Sequence, residues 1–184
     1  MTDIRPEPGV LLVAAPMLAD PNFHRSVVLI CEHTPDGSFG LIINRLLEAT
    51  PADVINGMAT YDGALLLGGP VQTDTLHFLH TFHHVDGATH VLDGVSWGGS
   101  FEDIQEIVQA TDSGPHELRF FLGYAGWGAG QLEAEIAEGG WIMTHAVAED
   151  VFSHEPESVW RRVLRRMGGE YAILANFPGD PRLN

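Results

Sequence analysis

Residues 120–141, FFLGYAGWGAGQLEAEIAEGGW, place four glycines (123, 126, 128 and 130) within eight positions around Trp127, and Gln131, Glu133 and Glu135 follow. Such a stretch serves phosphate cradling, a catalytic loop, or close backbone packing. A dinucleotide fingerprint needs glycines at i, i+2 and i+5. Counted from Gly126 the third position is Gln131, and counted from Gly128 it is Glu133, so the pattern fails. A Walker A loop needs Gly-Lys-Ser/Thr, and the chain has no lysine. Glu133 and Glu135 would also stand in the first turns of the following helix, where they repel a phosphate. Two readings remain. Either the glycines permit tight packing while Trp127 seals a core edge, or bare backbone admits a ligand or partner beside the amide of Gln131.

GVSWG (94–98) has the Gly-x-Ser-x-Gly spacing of a nucleophile elbow. An elbow runs from its serine directly into a helix. Here Gly98-Gly99 intervene and the next helix carries its own cap at Ser100, although Asp112, His116 and His145 lie downstream in an order that a triad permits. His77, His80, His83, His84 and His90 resemble a metal cluster. Strand alternation sets His77 and His80 on opposite faces, and His77 and His83 share a face six residues apart. With no Cys partner and no H-E-x-x-H spacing, no metal site is expected. Arg161, Arg162, Arg165 and Arg166 form the one basic run. Glu157 stands four residues before Arg161, and a helix C-terminus favours cations, so a solvated helix face is the leading reading and a docking patch for an acidic partner its rival. Arg45, next to Asn44, stands apart from the other cations and offers a planar fork to a bound carboxylate or phosphate, or to an internal acid.

The elements that must position these residues follow from periodicity. Residues 9–15 and 26–33 read as buried strands, and DGSF turns the second into GLIIN (40–44), a hairpin. Thr50, Pro51 and Asp53 are a helix start, and 64–67 is a short buried strand ended by Gly68-Gly69-Pro70. TLHFLHTFH alternates, with Leu76, Phe78, His80 and Phe82 on one face. Strands are expected at 89–92, 117–124 and 141–147. Helices are expected from Ser100, over 131–138, and over 157–167, where Val159, Trp160, Val163, Leu164 and Met167 face inward. Strict βαβ alternation is absent, which predicts an α+β fold with a mostly antiparallel or mixed sheet.

Bulk properties narrow the function classes. The 184 residues are 45% hydrophobic, enough for one domain with a core. Nine arginines face 25 acids, a formal charge of −16, and such a surface repels nucleic acid and anionic membrane. The lysine-free, acid-rich composition also fits a high-salt adaptation. One cysteine, Cys31, allows no intrachain disulfide. The apolar run 10–17 is too short to span a bilayer and is preceded by Asp3, Arg5 and Glu7 rather than a basic segment. A cytoplasmic protein is expected.

The blocks GVLLVAAPMLADPNFHRSVVLICEH, GLIINR, GGPV, Leu79-His80, FLGYAGWGAGQLEAEI with Trp141, and the tail DPRLN occur in this order over nearly the whole chain. In them the chain resembles the YqgE/AlgH family of small bacterial proteins. It departs from the family at Leu46, where a proline is usual, and in Gly179-Asp180-Pro181-Arg182, where Glu-Asp-Pro-Ser is usual. The resemblance implies one α+β domain over 1–184, with a bifurcated, mostly antiparallel sheet curled into a partial barrel and helices outside. Members are labelled transcriptional regulators, with no agreed catalytic residues. The expectation is a protein that regulates by binding a small ligand or a protein partner, without direct nucleic-acid contact, membrane, cofactor or metal. Oligomeric state is not indicated. The candidate pocket draws on Asn44, Arg45, Gly69, Pro70, Trp127, Gln131 and Glu135, with Arg45 the anion fork, Gln131 the orienting amide and Trp127 the apolar wall. The rival is a small hydrolase working through Arg45, Gln131 and Glu135.

Overall fold

The computed structural model describes residues 4–111 and 114–177; Asp3, Asp112 and the DPRLN tail lie outside them. The strands are β1 (Val10–Ala14), β2 (Val27–Thr34), β3 (Gly37–Ile42), β4 (Leu65–Leu67), β5 (Val71–His80), β6 (Thr89–Leu92), β7 (Val95–Trp97), β8 (Leu118–Gly128) and β9 (Trp141–His145). The helices are α1 (Pro51–Val54), α2 (Phe101–Ala110), α3 (Gln131–Ala137), α4 (Ala148–Val151), α5 (Val159–Met167) and α6 (Gly169–Leu174), with a 3-10 turn at Pro156–Ser158. Eight strands run in the order β6-β7-β5-β8-β3-β2-β1-β9 as a curled, antiparallel half-barrel, and β4 joins β8 in parallel. The fold is thus α+β, with helices flanking one mixed sheet.

The sheet forks at β8. Its first half holds β5 on one side and β4 on the other, through Leu65↔Phe120 and Phe78↔Phe120. Its second half holds β3, through Phe39↔Gly126 and Gly37↔Gly128. Two backbone bonds seal the fork, from Ile42 N to Gly68 O (2.8 Å) and from Gly68 N to Leu122 O (2.8 Å). The backbones come so close there that a Cβ on Gly69 would stand 2.1 Å from the carbonyl of Tyr124. The absence of a side chain at 69 is therefore a packing requirement.

VLLVA is apolar without alternation because β1 is covered on both faces. Leu11 and Val13 join Leu29, Leu41 and the α5 residues Trp160, Val163 and Leu164. Val10, Leu12 and Ala14 join Val28, Ile30 and Leu132 of α3 on the other side. A third cluster packs α2 and the segment that follows α1 on β5 and β8 through Met58, Tyr61, Phe78, Ile104 and Phe120. Each such buried side chain stabilises by about 1.5–3 kcal/mol, more than any one hydrogen bond in the loops between them. The α2 cap forms as its sequence predicts, Ser100 Oγ accepting from Asp103 N at 3.2 Å. So does the start of α1, where Asp53 accepts from the Thr50 N–H at 2.8 Å and from its hydroxyl at 2.7 Å.

Three local expectations change. The glycine–tryptophan stretch is strand, not loop, as far as Gly128, because β3 supplies a partner that close-approaching glycines on both sides can reach. The β2–β3 turn is Pro35-Asp36, so β3 starts at Gly37. The helix expected from residue 157 starts at Val159, which leaves Glu157 in the 3-10 turn and no ion pair between it and Arg161 among the described residues. Strand β7 and helices α4 and α6 are additions to the elements read from the sequence.

Candidate functional site

Of the sequence-predicted residues, Asn44 and Arg45 meet the connection between β1 and β2, residues 15–26, from one side, and Trp127 meets it from the other. Asn44, just past β3, clamps its end: Oδ1 accepts from Val27 N at 2.8 Å, and Nδ2 donates to Arg25 O at 2.9 Å. Arg45 donates to the carbonyls of Asn22 and His24. Burial lowers the pKa of Arg45, but a guanidinium stays charged in a protein. The fork expected to face an anion or an internal acid thus holds two main-chain carbonyls. These four contacts fix Arg25 in a left-handed conformation, φ 53°, which costs a non-glycine residue about 1–2 kcal/mol.

On the other side of this connection, α3 sets Gln131 and Glu135 one turn apart on one face. Glu135 Oε2 accepts two indole N–H groups, from Trp127 at 3.0 Å and Trp141 at 2.8 Å, and Oε1 accepts from Gln131 Nε2 at 3.0 Å. Gln131 Oε1 in turn accepts from Gly128 N at 3.1 Å, tying the helix to the end of β8. Gly139-Gly140 turns the chain back so that Trp141 meets Trp127 edge to face, with ring centroids 5.9 Å apart. Phe23 completes the group, stacked on Trp127 at 6.1 Å and edge-on to Trp141 at 5.4 Å. Asn44 and Arg45 are therefore joined to Trp127, Gln131 and Glu135 through the loop that carries Phe23.

Beside this cluster lies a hollow of 390 Å³ lined by Met17, Leu18, Ala19, Asp20, Phe23, Glu135, Glu138, Gly139, Gly140 and Trp141. Of the seven predicted residues only Glu135 borders it. Trp127 and Gln131 hold Glu135 in place without lining the hollow, Gly69 is buried against Tyr124, and Pro70 is exposed. Met17 is 86% exposed, and Leu18 and Phe23 are half-buried. The lining thus mixes apolar side chains with the carboxylates of Asp20 and Glu138, a combination suited to an apolar group that carries a positive charge. Phe23 and Trp141 were not among the predicted pocket residues. A signal existed for both, since each falls in a block that carried the family resemblance.

The other chemistry-bearing residues take different places. Ser96 lies within β7, opposite His80 and His90, so GVSWG is strand rather than elbow. His80 is fully buried with Nε2 3.0 Å from Gly98 O, and half-buried His77 packs among Phe39, Trp97 and Tyr124; burial lowers the pKa of both. Among the described residues no three His, Cys, Asp or Glu side chains converge as metal ligands. His83 and His84 line an 810 Å³ groove, and His116 and His154 line a 580 Å³ hollow that shares Thr81 and Ala148 with it. In the basic run, Arg166 and Arg162 turn to buried Asp150, at 2.7 and 3.9 Å.

Comparison with known proteins covers nearly the whole chain. A family model described as AlgH-like matches residues 11–172. A UPF0301 protein of Chlorobaculum tepidum is 48% identical over 97% of this chain and 96% of its own length. A UPF0301 protein of Chlorobium limicola is 46% identical over 96% of this chain and 95% of its own. The crystal structure of protein DIP2367 from Corynebacterium diphtheriae superposes with a TM-score of 0.81 at 29% identity, covering 96% of this chain and 95% of that one. The solution structure of the AlgH protein from Pseudomonas aeruginosa superposes with a TM-score of 0.72 at 31% identity, covering 98% and 100%.

Proposed function

This chain belongs to the AlgH-like family, and from that premise we propose that it is a cytoplasmic, regulatory binding protein. It takes an apolar group bearing a positive charge, from a small ligand or a protein partner, into the hollow beside Phe23, Trp141 and Glu135, and makes or breaks no bond. The observation that carries this reading is the closed circuit around Glu135. Its two oxygens accept from Trp127, Trp141 and Gln131, and Arg45 faces carbonyls. The polar groups that a hydrolase would need to move protons or hold an oxyanion thus have internal partners. The excess of 16 negative charges supports regulation without direct DNA contact.

The test is a melting-temperature series with hexylamine, benzylamine and tryptamine against neutral and carboxylate counterparts. The amines raise the melting temperature of the wild type by mass action, and the rise is lost in Asp20→Asn/Glu138→Gln. Equal shifts from the neutral counterparts would overturn the proposal. So would turnover of chromogenic esters or phosphoesters that disappears in Glu135→Gln, or a duplex mobility shift at physiological salt.

A further inference from the structure

The loop that carries Phe23 also carries Arg25, which serves a second hollow, of 480 Å³. Four of the nine arginines line it: Arg25, Arg161, Arg162 and Arg165. Three of them belong to the basic run of α5, and Arg25 joins them from the other end of the sequence. Arg25 lies over the indole of Trp160, 4.8 Å from its centroid, and donates to the carbonyl of Phe177. Trp160 is itself fixed by its N–H to Ala14 O at 2.9 Å. Arg161 and Arg165 are exposed and one helical turn apart on α5, on the stripe next to that of Arg162 and Arg166, which turn to Asp150.

The cations of this hollow outnumber its carboxylates: with Arg162 turned to Asp150, Arg25, Arg161 and Arg165 stand against Glu155 and Glu157. Among the described residues Arg25, Arg161 and Arg165 have no ion pair, and the pKa of Arg25 is lowered by burial and then by the charge of Arg161. The chain has 25 acids available for nine arginines, so uncompensated positive charge is not forced by composition. Like charges held side by side are destabilising unless something negative sits between them. A strained Arg25 backbone, held by Asn44 and next to the Arg45 clamp, fixes one guanidinium in advance; preorganised forks are suited to oxyanions.

We propose that the Arg25–Arg161–Arg165 hollow binds a compact, doubly charged oxyanion, the phosphate group of a small molecule or free phosphate itself. Glu155 and Glu157 also line it and repel an extended polyanion, which restricts the site to one compact group. The closed face of Trp160, 2% exposed beneath Arg25, leaves no aromatic platform for a base. This site is separate from the one that binds the apolar cation, and either proposal can fail alone.

The experiment titrates the full chain with sodium phosphate, with sodium chloride holding ionic strength constant, and follows both the melting temperature and the NMR signals of the arginine Nε–H groups. Phosphate raises the melting temperature and moves the signals of Arg25, Arg161 and Arg165. Arg161→Gln/Arg165→Gln, two exposed positions that leave the core intact, weakens binding about tenfold or more, as loss of charge-assisted hydrogen bonds requires. Glu157→Gln tightens it about two- to fivefold by removing a rim charge. Glucose 6-phosphate distinguishes the sources: binding tighter than phosphate assigns a phosphomonoester, and equal or weaker binding assigns free phosphate. A phosphate response no larger than that to chloride, unchanged binding in both variants, or tighter binding of hexaglutamate than of phosphate overturns the proposal.

Discussion

Glu135 is the residue on which the candidate site turns. An isosteric glutamine keeps its shape but has one acceptor oxygen where two are in use, so its amide N–H₂ meets either the paired indoles or Gln131 donor to donor. Glu135→Gln is expected to lower stability by about 2 kcal/mol, read from urea midpoints with tryptophan fluorescence as the probe; an unchanged midpoint would show the circuit to be ornamental. A second residue-scale prediction concerns His80, whose folded pKa is depressed by burial. On acidification the unfolded chain takes up a proton at its ordinary value near 6.5 while the folded chain does not. The stability contribution of neutral His80 is therefore complete above that value and is lost as pH falls below it towards the folded pKa. The urea midpoint should drop between pH 7.5 and 5.5, more steeply in the wild type than in His80→Gln.

Among the elements, β8 shows how tertiary partners override local signals. Its glycines predict a break, yet two of its neighbours need bare backbone to approach. Gly69→Ala would put a methyl group 2.1 Å from the Tyr124 carbonyl, and the shift required costs about 3 kcal/mol or prevents folding. Gly128→Ala meets nothing within 4 Å and has no left-handed φ, so it should stay within about 1 kcal/mol of the wild type. Denaturant unfolding of the two variants checks the contrast; similar losses would mean that glycine matters around β8 for flexibility rather than space. Helix α5 carries the same lesson. Its inward face is legible from the spacing of Trp160, Val163 and Leu164, but which arginines are neutralised depends on Asp150, a buried residue of α4 that no periodicity points to.

For the molecule as a whole, charge is the dominant long-range term. A formal −16 on 184 residues is self-repulsive, and raising salt from 0.05 to 0.5 M shortens the Debye length from about 14 to 4 Å. The melting temperature should rise with KCl over that range; a flat response would remove both the self-repulsion argument and the high-salt reading. What the sequence by itself determined was local or collective: the two-sided burial of β1, the hairpin, the cap at Ser100, the α+β class, and the kinship carried by ordered blocks. Each is written in neighbours along the chain or in bulk composition. Only the tertiary structure decided that residues 15–26 gather Asn44 and Arg45 on one side and the Trp127–Glu135–Trp141 circuit on the other, and that Arg25 meets Arg161 and Arg165. Those contacts run from Arg25 to Asn44, 19 positions on, to partners of Phe23 and Arg25 in the far half of the chain, and they centre on a loop with no periodicity of its own. Their geometry comes from the curl of the sheet, which no single segment encodes.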